Sequence, residues 1–423
     1  MGHPCRVLIA ALFFATAALA DDSNFRPYVV GSRAAGMGGA FTAIADDGSG
    51  PFYNPGGIAF AARSQLSLSG SVYGLSTGTF KDALGDGHDF NFHSLNISPT
   101  TTSAVFRLGP DGTTDGNVLA LSVFVPDASL TDGHDELNSN SNAFFITSQI
   151  QTVWGGLTFA RRMGNFGIGA SAFLLFGTRL SQLDVTAVNG ANVFATITDR
   201  TDETTIGILG AIGARWDVSS RVSLGASLYT PSVGWGSRRV FIRATQALPN
   251  QAPQAAVVNV DGLHASPADP MRIQLGGAYR DGPLTVSADL ILLLARDVDD
   301  DADQAQQGLD RHIVRNTVLN AAVGMEYVLG GSFPFRAGFY TDFAASPDTD
   351  ANGDTQNTSH VNRYGGTVSI GMNSEHSSTN VGLNVSGGSG TDVVPNNLDF
   401  TQLKVTDSSQ LLLYVFLGTA YQF

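Results

Sequence analysis

The chain has 423 residues, 49 of them Gly, and only 14% charged side chains, with 37 acidic against 23 basic. That acidity excludes nucleic acid as a partner. Beyond the amino end no run of about 18 apolar residues occurs, which excludes a helical membrane span.

Residues 1–20 read as a signal peptide. Arg6 supplies the positive charge, Val7 to Leu19 the apolar core, and Ala18-Leu19-Ala20 the small-x-small cleavage pattern before Asp21. Cys5, the single cysteine, precedes that core, so the processed chain is expected to carry none and to have a net charge of 22 − 37 = −15. Export without disulfides fits a Gram-negative envelope protein better than a small stapled extracellular domain.

Residues 21–63 do not read as a strand pair. Gly31 to Phe41 is small and Gly-rich, Ala43-Ile44-Ala45-Asp46-Asp47 follows, and Asn54-Pro55-Gly56 marks a sharp turn. A compact segment of this size can fill a wide barrel that would otherwise leave an open lumen. The pattern lacks the βαβ context that a dinucleotide site needs.

From residue 64 onward fourteen stretches read as strands: 64–75, 98–108, 117–126, 143–162, 166–184, 202–217, 222–231, 270–280, 284–296, 315–329, 333–344, 360–375, 379–389 and 409–423. Period-two alternation is clear in several. Ile273, Leu275 and Tyr279 oppose Arg272, Gln274 and Arg280, and Val381, Leu383 and Val385 oppose Asn380, Asn384 and Ser386. In the last stretch Leu411, Leu413, Val415, Leu417, Tyr421 and Phe423 share one face, and Gln410, Tyr414, Gly418, Ala420 and Gln422 lie on the other. The connections alternate long and short. Gly164-Asn165, Asp281-Gly282-Pro283, Gly330-Gly331-Ser332 and His376-Ser377-Ser378 are short, whereas 127–142, 185–201, 232–269, 297–314, 345–359 and 390–408 are long, polar and expected to be solvated. Short turns at one rim and long loops at the other characterise an outer-membrane barrel, and an even strand count returns both termini to the periplasm. The expected fold is all-β: a transmembrane antiparallel barrel of about fourteen strands (64–423) holding an N-terminal hatch (21–63).

Function-bearing residues follow from alternation. Phe173-Leu174-Leu175-Phe176 and Leu290 to Leu294 are apolar on both faces. One face meets lipid. The other, Phe173, Leu175, Ile291 and Leu293, either lines an apolar pocket or packs on the plug. A turn at 330–332 places Glu326 opposite Arg336 as an ion pair inside the lumen, structural or acting as a latch on the hatch. Arg238, Arg239 and Arg243 cluster beside the loop after the seventh strand, as a head-group attractor or as solvated charges. Asp348, Asp350, Asn352 and Asp354 copy the first half of a calcium loop, but Ser359 stands where its bidentate Glu belongs. No nucleophile elbow is present, and neither a catalytic role nor a cofactor is expected.

Arg33-Ala34-Ala35-Gly36-Met37-Gly38-Gly39-Ala40, the Ala45-Asp46-Asp47 step and Tyr53-Asn54-Pro55 resemble the start of the FadL/TodX family of outer-membrane transporters of hydrophobic compounds. Leu119 to Pro126, Leu224 to Pro231, Pro270 to Asp289 and Arg336-Ala337-Gly338 with Ser346-Pro347 and Arg363 are similar to later strands of that family, so the likeness covers nearly the whole processed chain. It implies a barrel stopped by an amino-terminal hatch, in which Arg33, Gly36, Gly38, Gly39, Asp46, Asn54 and Pro55 are the hatch residues. It also implies passive uptake of long-chain fatty acids or hydrocarbons, captured by the outer loops and released sideways at a kinked third strand. The expected partners are a hydrophobic small molecule, outer-membrane lipid and lipopolysaccharide, and the barrel-assembly machinery. Two departures stand out. The chain has Gly56 where the family usually has Ala, and its third strand, Asn117 to Pro126, has no internal Gly where a kink is expected, which counts against a side exit. A structural or secretion-partner barrel and a general diffusion pore are the alternatives.

Overall fold

The structure, a computed structural model, describes residues 24–25, 29–83, 87–109, 115–137, 142–189, 193–248, 254–300, 311–351, 358–396 and 399–423. The expected signal segment, 1–20, lies outside the described residues. In chain order the strands are β1 (Gln65–Phe80), β2 (Phe90–Leu108), β3 (Asp115–Leu137), β4 (Asn142–Met163), β5 (Phe166–Asn189), β6 (Val193–Asp217), β7 (Val222–Tyr229), β8 (Val233–Leu248) and β9 (Gln254–Leu263). They continue with β10 (Arg272–Asp281), β11 (Leu284–Leu293), β12 (Arg296–Asp299), β13 (His312–Arg315), β14 (Val318–Leu329), β15 (Phe333–Asp342), β16 (Ser359–Asn373), β17 (Ser377–Asn396) and β18 (Asp399–Gln422).

Fourteen of these close a cylinder of antiparallel neighbours. β1 to β7 run on to β10, β11 and β14 to β18, and β18 pairs back onto β1. Closure leaves no free edge around the wall, so every wall strand has a neighbour on each side for its ladder. The four remaining strands are side features. β8 pairs with the outer half of β6, from Ile208↔Val233 to Phe194↔Leu248, while β7 holds the inner half, and β9 pairs on β8. β12 and β13 form a separate two-stranded ribbon.

Alternation sets the two faces. On β18 Leu411, Leu417 and Tyr421 are exposed, as is Phe423 just after it, whereas Tyr414, Phe416 and Gly418 are buried. On β11 Leu290 is exposed and Asp289, Ile291 and Leu293 are buried. A continuous apolar exterior also includes Leu66, Leu121, Leu157, Ile212, Leu275, Leu319, Val368 and Val381. Water would not tolerate such a surface on an isolated soluble domain.

Several stretches expected to be loops are strand. β3 continues to Leu137, β5 to Asn189, β17 to Asn396, and 232–269 carries β8 and β9. These extensions are poor in apolar alternation because their outer face meets no lipid and their buried inner face mixes polar with apolar residues: Arg239, Phe241 and Arg243 on β8, and Asp392 and Val394 on β17.

Residues 29–61 lie inside the cylinder. They form α1 (Ser32–Gly36), α2 (Gly50–Tyr53) and a 3-10 turn (Pro55–Phe60), joined by tight turns. Val30, Ala34, Met37, Phe41, Ile44 and Ile58 are fully buried. α1 packs on β15 to β18 and the 3-10 turn packs on β3 to β7, so the segment bridges opposite walls of the bore.

Candidate functional site

The interior is built in two storeys. The lower one, level with the short turns, is a chain of charges. Arg33 on α1 donates from Nη1 to Asp46 Oδ1 at 2.7 Å and from Nε to Glu326 Oε2 at 3.3 Å. Glu326 on β14 stands directly opposite Arg336 on β15, which donates to it at 2.6 Å and to Asn380 Oδ1 at 2.6 Å. On the far side Asp46 accepts from Arg215 Nη1 on β6 at 3.3 Å, and Arg215 reaches Asp217 at 3.1 Å. The bore is thus crossed, wall to wall, by alternating charges with Arg33 and Asp46 at its centre. Burial works against the Asp46 charge, but Arg33 and Arg215 outweigh it and hold that carboxyl below the usual carboxylate range. Its neighbour Asp47 lacks a second cation, and burial pushes its carboxyl up.

Hydrogen bonds other than ion pairs fix the rest of the segment. The Asp289 carboxylate on β11 accepts from the Phe41 and Thr42 backbone N–H groups, each at 2.8 Å, and from the Thr42 hydroxyl at 2.7 Å. Asn54 donates to Thr42 O at 2.9 Å and to Ala214 O at 2.8 Å, while its Oδ1 accepts from Gly56 N–H at 3.0 Å. Pro55 begins the 3-10 turn, where its missing N–H is no loss. Gly36 packs on Arg336 and Ser369, and Gly39 follows Gly38 at positive φ. Gly38 has φ of 62°, and a Cβ there would lie 2.9 Å from the Phe339 backbone. The departure at Gly56 has a local cause as well. A Cβ there would lie 2.5 Å from Gly213 O, so an Ala would collide with the β6 wall.

The upper storey is aromatic. Phe52 on α2 packs against Phe124 of β3 at 5.6 Å and Trp154 of β4 at 5.5 Å between ring centroids, and Phe173 of β5 lies 5.6 Å from Trp154. Leu175, Leu209 and Tyr229 complete this cluster. The Arg272 guanidinium of β10 lies 3.9 Å over the Tyr229 ring and 4.9 Å over Phe52. Above Phe52 an inner cavity is lined by Phe52, Trp154, Leu209, Tyr229, Arg272 and Leu293 with Pro126, Asp127 and Asp269. An outer cavity is lined by Ile150, Leu175 and Ile313 with Arg179, Glu203, Arg311 and Arg315, and the two share Phe25, Thr152 and Asp269.

Beside the inner cavity the ladder between the adjacent strands β2 and β3 is interrupted among the described residues. β2 and β3 pair from Leu108↔Asn117 only as far as Thr101↔Phe124. There β3 bulges: Val125 and Pro126 together occupy the space opposite Val153, between Phe124↔Trp154 and Asp127↔Thr152. Pro126 has no N–H to donate to a ladder, and Val125 turns inward and is buried. Farther out the Ser94 hydroxyl donates to Leu130 O, which closes the seam again. The absence of Gly therefore does not keep the third strand straight. A proline bulge breaks it instead, which corrects the expectation drawn from the missing glycine.

Of the four residues expected to line a pocket, Leu293 faces the inner cavity and Leu175 the outer one. Phe173 packs behind Trp154, and Ile291 is buried but borders neither. Arg238 is exposed and pairs with Asp261 at 2.6 Å, Arg243 pairs with Asp199 at 2.6 Å, and Arg239 lies 3.7 Å from Glu203. The trio is neutralised by partners on β6 and β9 and borders neither cavity. Asp348 and Asp350 are exposed, Asn352 and Asp354 lie outside the described residues, and no group of three metal-ligating side chains occurs among the described residues. Sequence reasoning missed Phe52, Trp154, Tyr229, Arg215 and the acceptor role of Asp289. Counting back from the Gly164 turn puts Trp154 on the same face as the buried Thr158 and Ala160, and that parity was the available signal.

No family model and no curated protein sequence matches the chain. Solved structures do. A Pseudomonas aeruginosa FadL homologue is 13% identical at a TM-score of 0.65, covering 95% of this chain and 100% of its own. The Pseudomonas putida toluene transporter TodX is 14% identical at 0.65, with 94% and 99% covered. The Ralstonia pickettii toluene transporter TbuX is 13% identical at 0.58, with 93% and 98% covered. The chain has the fold of these FadL-type barrels.

Proposed function

We propose that the protein is a passive importer of hydrophobic small molecules in the outer membrane of a Gram-negative cell, with both termini in the periplasm. Residues 21–63 act as the hatch and 64–423 as the barrel. The observation that carries this reading is the aromatic inner cavity that rests on Phe52 and is bordered by Pro126 and Asp127 of the β3 bulge, where the β2–β3 ladder is interrupted. A general diffusion pore needs an open, wet passage, whereas residues 29–61 stand across this bore and a cluster of rings lies directly above them. Uptake runs down the concentration gradient. A molecule enters through the outer cavity, sits above Phe52, and leaves through the seam between Thr101 and Ser94 on one side and Phe124 and Leu130 on the other. The likeness in fold to a FadL homologue and to toluene transporters supports fatty acids and hydrocarbons as the class to try first.

The test is solvent extraction and mass spectrometry of the detergent-purified protein, with single-channel recording in a planar bilayer. Co-purified apolar molecules and no steady ion conductance are expected. An empty lumen together with ohmic conductance overturns the proposal in favour of a diffusion pore. An empty lumen with a stably bound protein partner overturns it in favour of a structural or secretion barrel.

A further inference from the structure

Every strand of the large sheet but β9 has a neighbour on each side, and among the described residues β9 pairs with β8 alone. The open N–H and C=O groups of such an edge are a template for another chain, and proteins blunt it with charge, proline, a bulge or short length. β9 is ten residues long, and its middle carries none of these guards. Ala255-Ala256-Val257-Val258-Asn259-Val260 has no charge and no Pro, and the bulge at Gly262 lies at the foot of the strand. Asp261, its one charged residue, is neutralised by Arg238 of β8 at 2.6 Å. Val257 is 70% exposed, and the next two residues, Val258 and Asn259, are exposed as well. Successive side chains point to opposite faces, so both faces of the strand stand clear of the rest of the chain.

We propose that β9 pairs edge to edge with β9 of a second copy, joining two barrels at the rim opposite the short turns. Charge, height and closure select that occupant. The chain is uncharged from Ala244 to Val260, whereas other long connections are acidic, with Asp127, Asp132, Asp135 and Glu136 in one and Asp348, Asp350 and Asp354 in another. Two copies therefore repel elsewhere along this rim and not here. Standing in one bilayer with one orientation, they hold their β9 edges at the same height, so pairing forfeits less freedom than capture of a free peptide does. Each copy offers one long edge of this kind among the described residues, so a two-fold axis closes the assembly as a dimer and leaves no edge open. The dimer does not depend on what passes through the bore.

Cysteine cross-linking in isolated outer membranes tests it, because the single cysteine, Cys5, lies in the expected signal segment. A two-fold along the membrane normal sets each β9 residue beside its own counterpart, and paired strands lie about 4.8 Å apart, within reach of a disulfide. Oxidation of Asn259→Cys should convert the chain to a band of twice the monomer mass on non-reducing gels. His93→Cys, exposed on the outer half of β2, should give no such band. Val257→Glu added to Asn259→Cys should abolish the dimer, since like charges facing one another oppose pairing. Co-expression with a chain carrying Val257→Lys and Asn259→Cys should restore it. Heat-modifiability on gels reports that each variant has folded. No dimer band, an equal band from His93→Cys, or a band that survives Val257→Glu overturns the inference. A cross-linked band of any other mass overturns it in favour of a different partner. Each of these outcomes leaves the import reading standing.

Discussion

The two storeys of the lumen solve opposite problems with the same strands. In the lower one, Arg336, Glu326, Arg33, Asp46, Arg215 and Asp217 alternate in sign from β15 to β6, and each buried charge has a partner within 3.3 Å. In the upper one Phe52, Phe124, Trp154 and Phe173 meet at centroid distances of 5.5 to 6.1 Å and leave cavities beside them. Charges demand one geometry because an unpaired buried ion is expensive, whereas ring contacts are shallow and tolerate rearrangement. The lower storey is suited to holding a segment seated, and the upper one to admitting and releasing a guest.

Experiments can break that division. Deleting Pro126 removes the extra residue opposite Val153 and supplies an N–H to the ladder, so β3 can continue its pairing with β2. Uptake of a radiolabelled hydrophobic substrate should fall to the level of cells lacking the protein, while barrel heat-modifiability on gels is unchanged. Next in size is Glu326→Ala, which strips both Arg33 and Arg336 of their shared carboxylate. It should loosen the seated segment by about 3–5 kcal/mol, read as faster amide hydrogen exchange in residues 29–61 against an unaltered barrel. If exchange there does not change, the charges only pair strands and do not hold residues 29–61 in place. Arg336→Ala should act in the same direction and more weakly, because Arg33 remains on Glu326. Asp289→Ala leaves the Phe41 and Thr42 N–H groups without their acceptor and should cost about 1–3 kcal/mol by the same exchange measurement.

The smallest effect is that of pH. Asp46 is held below its ordinary range when seated, so its contribution is complete above the unfolded value of about 3.9 and is lost as pH falls through the seated one. Protection of residues 29–61 should decline below about pH 4, and Asp46→Asn should remove that decline along with part of the protection at neutral pH. A decline centred near pH 6 would point to some other group.

Much of this was legible before any coordinates. Each of the fourteen wall strands was placed, since alternation of apolar and polar residues reports directly which side of a wall meets lipid. Glu326 and Arg336 were put opposite one another by counting from the Gly330-Gly331-Ser332 turn. The strand ends at the outer rim were not legible, because their outer face meets no lipid and their buried inner face includes charges such as Arg239, Arg243 and Asp392, so no apolar alternation marks them. Arg33 as the third member of the Glu326 pair was not legible either, since the two residues lie far apart in sequence and only closure of the cylinder brings them together. The kink was looked for as a glycine and turned out to be a proline bulge, a different chemical route to the same break in a ladder.

The order of residues alone determined a closed β-wall with an apolar outside and a compact leading segment, because both follow from local periodicity and backbone preference. Only the tertiary structure decided which side chains face one another across the bore: Arg33 with Glu326, Phe52 with Trp154, Arg272 with Tyr229. Those meetings depend on the diameter and register of a cylinder, and no single strand contains that information.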